Sequence, residues 1–264
     1  MLSAHRNLSS ATGGLARGRS RRKLLDNILK IYYENFRNIF CTGAATPKTM
    51  KRNGSKSKKA IVYETLKSRI IHHALKPGEA LNEATLSKEL KISKTPIREA
   101  LQQLEKEGFV ENLPNKGAFV SRIALQDLRE IFEIREILEC EVIRRVALKV
   151  DPVKVEALRE KFVSSASVNP KPSEGYFKSG DEVHAFIFET LGNNRLTEIY
   201  RRLQDHIVRM RIHFFNQSVS GRSPESYREH IEILEALKAR DPVRAENAVR
   251  NHLRNSLEYI KQMI

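Results

Sequence analysis

The sequence predicts a mainly α protein: a winged helix-turn-helix over residues 60–122, then an all-α bundle of six helices over 123–264. Three observations carry this. Residues 83–122 read as helix, tight turn, helix and a two-stranded wing. Residues 123–264 hold six segments of helical apolar period and no convincing strand. The breaks between those segments are Pro, Gly and Asn clusters of loop composition.

In chain order, Ile61, Leu66, Ile70, Ile71 and Leu75 fit one helix, with Tyr63 beside them, closed by the turn Lys76-Pro77-Gly78-Glu79. Asn82 is placed to cap the next helix, whose apolar face is Leu86 and Leu90. Lys91-Ile92-Ser93-Lys94 breaks that period, and Ser93 or Thr95 can cap the second helix of the pair. Pro96 falls in its first turn, where the missing N–H costs nothing. This second helix turns Ile97, Ala100, Leu101 and Leu104 inward and stops at Gly108. Phe109-Val110 and Ala118-Phe119-Val120 make the wing, joined by Pro114-Asn115-Lys116-Gly117. The bundle segments are 125–149 (stripe Leu128, Ile131, Ile134, Leu138, Val142), 152–166, 174–191, 195–217, 224–240 and 242–262.

The formal charge is +15, from 47 Lys and Arg against 32 Asp and Glu. Its distribution matters more than its sum. Residues 1–59 hold 14 basic and 2 acidic side chains, whereas 60–264 hold 33 against 30 and are close to neutral. Any attraction of the folded part for DNA therefore depends on local placement. Residues 1–59 read as a disordered basic extension. Three origins fit it: an arm adding non-specific DNA affinity, an Arg-rich presequence, or a start-site artefact ahead of Met50. Two cysteines, Cys41 and Cys140, lie far apart and in no metal spacing, which suits a reducing compartment. No apolar run approaches the length of a membrane span. The cytoplasm is the expected location, at the nucleoid when bound to DNA.

The stretch 60–264 resembles the GntR family of bacterial transcription regulators, in its FadR-like branch with an FCD-type C-terminal domain. Lys76-Pro77-Gly78-Glu79-Ala80-Leu81-Asn82-Glu83 looks like the family turn before the first reading-head helix. Ile92-Ser93-Lys94-Thr95-Pro96-Ile97-Arg98-Glu99-Ala100-Leu101 looks like its recognition helix, and Pro114 to Val120 like its wing. Ile134-Arg135-Glu136-Ile137-Leu138-Glu139, His184 to Leu196, His230 to Leu237 and Asp241 to Leu253 resemble stretches of the second domain. Six C-terminal helices look more like the VanR-type subgroup than the seven-helix FadR type.

The resemblance implies a homodimer that binds a double-stranded, pseudo-palindromic operator and answers to a small carboxylate. Ser93, Lys94, Thr95 and Arg98 then touch DNA, with Lys116 and Gly117 at the wing tip. The chemistry agrees: Arg98 can grip guanine or clamp a phosphate, and the hydroxyls suit phosphate oxygens at a helix start. Lys94 stands where the family usually has Arg; without the planar fork, a phosphate contact suits it better. In the second domain His184, His230 and His252 match the family's ligands for a divalent metal ion. Zinc, nickel and manganese are not separable by ligand type. The family Asp usually lies four residues before the first His, where this chain has Gly180; Asp181, on the same helical face, is the expected substitute. The alternative is a three-His site completed by water or a carboxylate effector. The resemblance places Arg135 toward the effector, while the residues alone equally allow an ion pair with Glu139 or Glu136.

No sequence-local catalytic motif appears, so an enzyme is not expected. The rival functions are a metal-dependent enzyme using the three histidines and a non-specific DNA binder driven by the basic N-terminus.

Overall fold

The computed structural model describes residues 57–167, 174–215 and 223–262. The expected basic extension, 1–59, lies almost wholly outside them. Nine helices and one small sheet are formed among the described residues. The N-terminal unit contains α1 (Lys58–Ile71), β1 (Ala80–Leu81), α2 (Glu83–Leu90), α3 (Lys94–Lys106), β2 (Val110–Leu113) and β3 (Gly117–Val120). The bundle contains α4 (Leu125–Ala147), α5 (Pro152–Ser167), α6 (Glu174–Leu191), α7 (Asn194–Phe215), α8 (Ser223–Lys238) and α9 (Pro242–Lys261). The six bundle segments expected from apolar period are these six helices, with ends displaced by one or two residues.

Local chemistry sets the helix ends. Asn82 Oδ1 accepts the backbone N–H groups of Ala84 and Thr85 at 2.9 and 3.0 Å, capping α2. Asp241 Oδ1 does the same for Val243 and Arg244, just ahead of Pro242 at the start of α9. At the end of α3, Gly108 takes φ +78°. Its N–H reaches the Glu105 carbonyl and that of Phe109 reaches Leu104, the two bonds of a Schellman motif. The wing turns through three residues with Asn115 at φ +62°, and the sheet order is β1-β3-β2, antiparallel throughout. In the sequence Ala80-Leu81 is no more than a lead into Asn82. In the fold it is a third strand, because Ala80 and Leu81 pair with Phe119 and Ala118.

Two apolar clusters form. One gathers Val62, Leu66, Ile70, Leu86, Ile97, Leu104, Phe109 and Val120; the other lies inside the bundle. Two stripes need correction. In α1 the inward residue is Val62, while Ile61 stays 44% exposed. In α4 the inward stripe runs through Leu128, Phe132, Arg135, Glu139 and Val142, leaving Ile134 and Ile137 exposed. A buried Arg and Glu thus interrupt an otherwise apolar helix face. α7 belongs to both clusters: Met210 and Tyr200 pack in the bundle, but Val208 is part of the N-terminal core and Ile212 packs against it.

Candidate functional site

The residues expected to contact DNA lie at the start of α3 and at the wing tip. Ser93 occupies the N-cap in extended conformation (φ −62°, ψ 161°), yet its side chain makes no capping bond. The first N–H groups of α3 and the Ser93 hydroxyl therefore stand available to an anion. Ser93, Lys94, Thr95 and Arg98 are all exposed on this end, as are Lys116 and Gly117 at the wing tip. Ile97, Ala100, Leu101 and Leu104 are buried behind them, so the helix presents one polar edge outward. Arg98 is already oriented. Its Nε and Nη2 donate to the two carboxylate oxygens of Glu83 at 2.9 and 2.8 Å. The Arg98 side chain remains 62% exposed, and an exposed pair of this kind is weak enough to be exchanged for a phosphate or guanine.

Inside the bundle, His184 on α6, His230 on α8 and His252 on α9 meet. Each has a ring nitrogen within 4.8 Å of the others, and all three residues are buried. The neighbours of each ring decide which nitrogen faces inward. His184 Nδ1 donates to Glu139 Oε2 at 2.6 Å. His252 Nδ1 donates to Glu229 Oε2 at 2.9 Å. His230 Nδ1 donates to the Ser226 carbonyl at 2.7 Å. An acceptor on Nδ1 fixes the neutral tautomer with its lone pair on Nε2. Burial, with His252 and His184 beside it, holds His230 well below its usual range, so its ring stays neutral. Three inward lone pairs with three outer acceptors are the donor set a divalent cation requires.

Glu139 is the centre of the outer shell. It is fully buried and also accepts from Arg135 Nε at 2.6 Å. Burial works to raise its carboxyl, but Arg135 and then His184 outweigh that and hold it down to about 2.

The comparisons with known proteins bear on both ends. A model described as "Bacterial regulatory proteins, gntR family" matches residues 58–120, and the FCD domain model matches 130–255. The chain belongs to the GntR family, with an FCD domain behind its reading head. It is 27% identical over 204 residues to the HTH-type transcriptional repressor RspR of Escherichia coli (strain K12), covering 76% of this chain and 88% of the relative. The HTH-type transcriptional repressor GlaR of the same strain is 27% identical over 207 residues, covering 76% and 94%. The structure of E. coli McbR/YncC matches with a TM-score of 0.63 at 23% identity, over 79% of this chain and 99% of that one. As a GntR regulator with an FCD domain, the protein is a DNA-binding transcription regulator.

Within the FCD domain one expectation needs amending. Asp181 does not join the histidines. Its carboxylate accepts both Nη groups of Arg211, at 2.6 and 3.1 Å, and the cluster formed by the described residues is His184, His230 and His252 alone. Gly180, one residue earlier, is the position in contact: a Cβ there would sit 3.0 Å from His230 Nε2. Arg135 is 5% exposed and engaged by Glu139, the ion pair that the residues alone allowed. Sequence reasoning does not reach Glu139 and Glu229 as outer-shell acceptors. A hint exists for the first: an acid four residues after Arg135, on a face that otherwise buries apolar groups.

Proposed function

We propose that this GntR regulator is a homodimer whose operator affinity is set by a small carboxylate bound beside a divalent metal ion in the FCD domain. The observation that carries the metal part is the Nδ1 engagement of all three histidines, which leaves every Nε2 as a ligand atom. Those residues fit the group. His184, His230 and His252 would hold the ion, and the ion would supply a fixed positive charge for an anion. Asp181, the expected fourth ligand, is taken by Arg211, and Glu139 and Glu229 hold rings rather than face the cluster. No carboxylate of the described residues completes the site, which favours an outside ligand in that role. Arg135 holds Glu139, which in turn holds His184, so it supports the site through Glu139.

DNA contact is assigned to Ser93, Lys94, Thr95 and Arg98 at the start of α3, with Lys116 and Gly117 following the backbone beside it. The functional division is 60–122 for reading and 123–264 for sensing and dimer formation. The groove between α4 and α9 supports the last of these. Phe132, Ile137, Leu253 and Leu257 line it between Arg and Glu side chains, and Ile137 is 64% exposed. A two-fold pair of reading heads would place the operator half-sites a helical turn apart. The six bundle helices favour the VanR-type subgroup.

The metal part is tested by titrating the full-length protein with zinc, nickel or manganese in a calorimeter. One ion per chain is expected to bind, and His184→Ala, His230→Ala and His252→Ala each to abolish it. At about 100 times Kd the ion stabilises the fold by roughly 2.7 kcal/mol, readable as a rise in Tm that chelator reverses. Undiminished uptake by a triple alanine variant overturns the assignment. Operator affinity measured across small mono- and dicarboxylates, with and without metal, tests the effector.

A further inference from the structure

We infer that α7 is the lever that carries the state of the histidine site to the reading head, gripping the far end of the recognition helix α3. The inference rests on the metal reading of that site. α7 shows two working faces. Tyr200, Gln204 and Arg211 turn toward the bundle: Tyr200 stacks on Phe188 of α6 at 4.2 Å, its hydroxyl donates to Gln204, and Arg211 donates to Asp181 of α6. Asp205, His206, Val208, Arg209 and Ile212 turn toward the N-terminal unit. The sets are offset by one residue, about 100° around the helix.

The grip on the reading head is specific. Lys67 of α1, with its side chain 8% exposed, contacts Asp205 at 2.7 Å, Glu107 at 3.0 Å and the Tyr63 hydroxyl at 2.8 Å. His206 donates from Nε2 to the Glu107 carbonyl at 2.8 Å, and its ring stacks on Phe109 at 4.2 Å. Arg209 donates to the Ser121 carbonyl just past the wing, with its guanidinium over the Phe109 ring. Glu107, Gly108 and Phe109 form the C-terminal end of α3, and the DNA groups stand at the other end, roughly 20 Å away at 1.5 Å per residue. A small tilt imposed at the grip becomes a larger displacement at Ser93 and Arg98.

The site end is equally direct. One turn of α6 holds Gly180 against the His230 ring, Asp181 against Arg211, and His184 in the cluster. His184 is rooted in that same turn, so a change at the cluster is felt directly by the α6 backbone there. That backbone carries Asp181, and Asp181 holds α7.

The test is hydrogen–deuterium exchange on the full chain with zinc alone as the probe, tracking residues 62–71 and 104–110. Wild type should change its exchange in both segments by on the order of tenfold when zinc binds. The double variant Asp181→Asn/Arg211→Gln, which keeps a hydrogen-bonding pair and removes its charge, should still bind zinc in the calorimeter and lose the remote change. His206→Ala loosens the other end and should keep zinc affinity while weakening the response at 104–110. It provides a second reading if the double variant does not fold. Wild type that takes up zinc with no remote change, or variants that respond as wild type does, overturn the lever and leave the metal site standing. Wild type that takes up no zinc, and no nickel or manganese in the same titration, overturns both.

Discussion

Glu139 shows how much one side chain can hold together. It accepts from a buried arginine on its own helix and from a histidine 45 positions away, with no exposure to water. Glu139→Gln leaves Arg135 buried without a counter-charge, and breaking such a pair typically costs about 3–5 kcal/mol. The same change weakens orientation of His184, which for an outer-shell partner means roughly 10- to 100-fold in metal affinity. Chemical denaturation and calorimetry read the two effects separately, and near-wild-type stability would contradict this account. At the reading end, Arg98→Ala is expected to cost about 1–3 kcal/mol of operator affinity. If Arg98 reads a base, competition with a scrambled duplex shows that the loss falls on the operator. An equal loss on both duplexes makes Arg98 a phosphate clamp. The place of Arg98 on an exposed helix start is legible in the sequence, because local order fixes where α3 begins. The partner of His184 is not, since nothing in the spacing joins α4 to α6. Asp181 misleads for a related reason: a shared helical face puts it beside His184, but only the fold brings Arg211 to it.

At the scale of elements, the helices are readable and their faces less so. Ile61 stands next to Val62, and Ile131 next to Phe132, so adjacent apolar residues give two stripes an equal claim. Packing against neighbours then chooses the stripe that periodicity alone does not pick. The two-residue strand β1 carries no period of its own and exists only because β3 lies beside it. Caps are more legible, because their chemistry is local. Asn82→Ala removes an acceptor for two backbone N–H groups and should destabilise the N-terminal unit by about 0.5–2 kcal/mol. Urea unfolding measures it; Asn82→Asp, which keeps the acceptor, should retain most of the lost stability.

For the whole molecule, the seam between reading head and bundle is rich in histidines that the fold keeps neutral. Burial, and after it the charge of His213, lowers His73 to about 4, and burial lowers His206 and His213 as well. His73 also faces Arg209 and His72, both cationic influences, against one favourable contact to the Arg209 backbone. An unfolded histidine titrates near 6.5. Between that value and about 4 the unfolded chain therefore binds more protons than the folded one, and stability falls as pH drops through this window. His73→Asn suits the site, since asparagine tolerates the left-handed φ of +59° found there. Urea midpoints taken from pH 7 to pH 4.5 should decline less steeply in this variant than in wild type. An identical slope would place the acid sensitivity elsewhere. None of this seam is visible in the sequence, where His206 and His213 are simply two residues of a bundle helix.

Val208 and Ile212 are residues of the FCD domain that complete the core of the N-terminal unit. Read from the sequence, the two parts look separable near residue 122. A chimaera cut at that point would carry away a head whose apolar side had lost its cover and whose Lys67 had lost Asp205. Transplanting this head onto a foreign sensor therefore calls for grafting one face of α7 with it, and the portable unit of recognition is larger than the stretch that touches DNA.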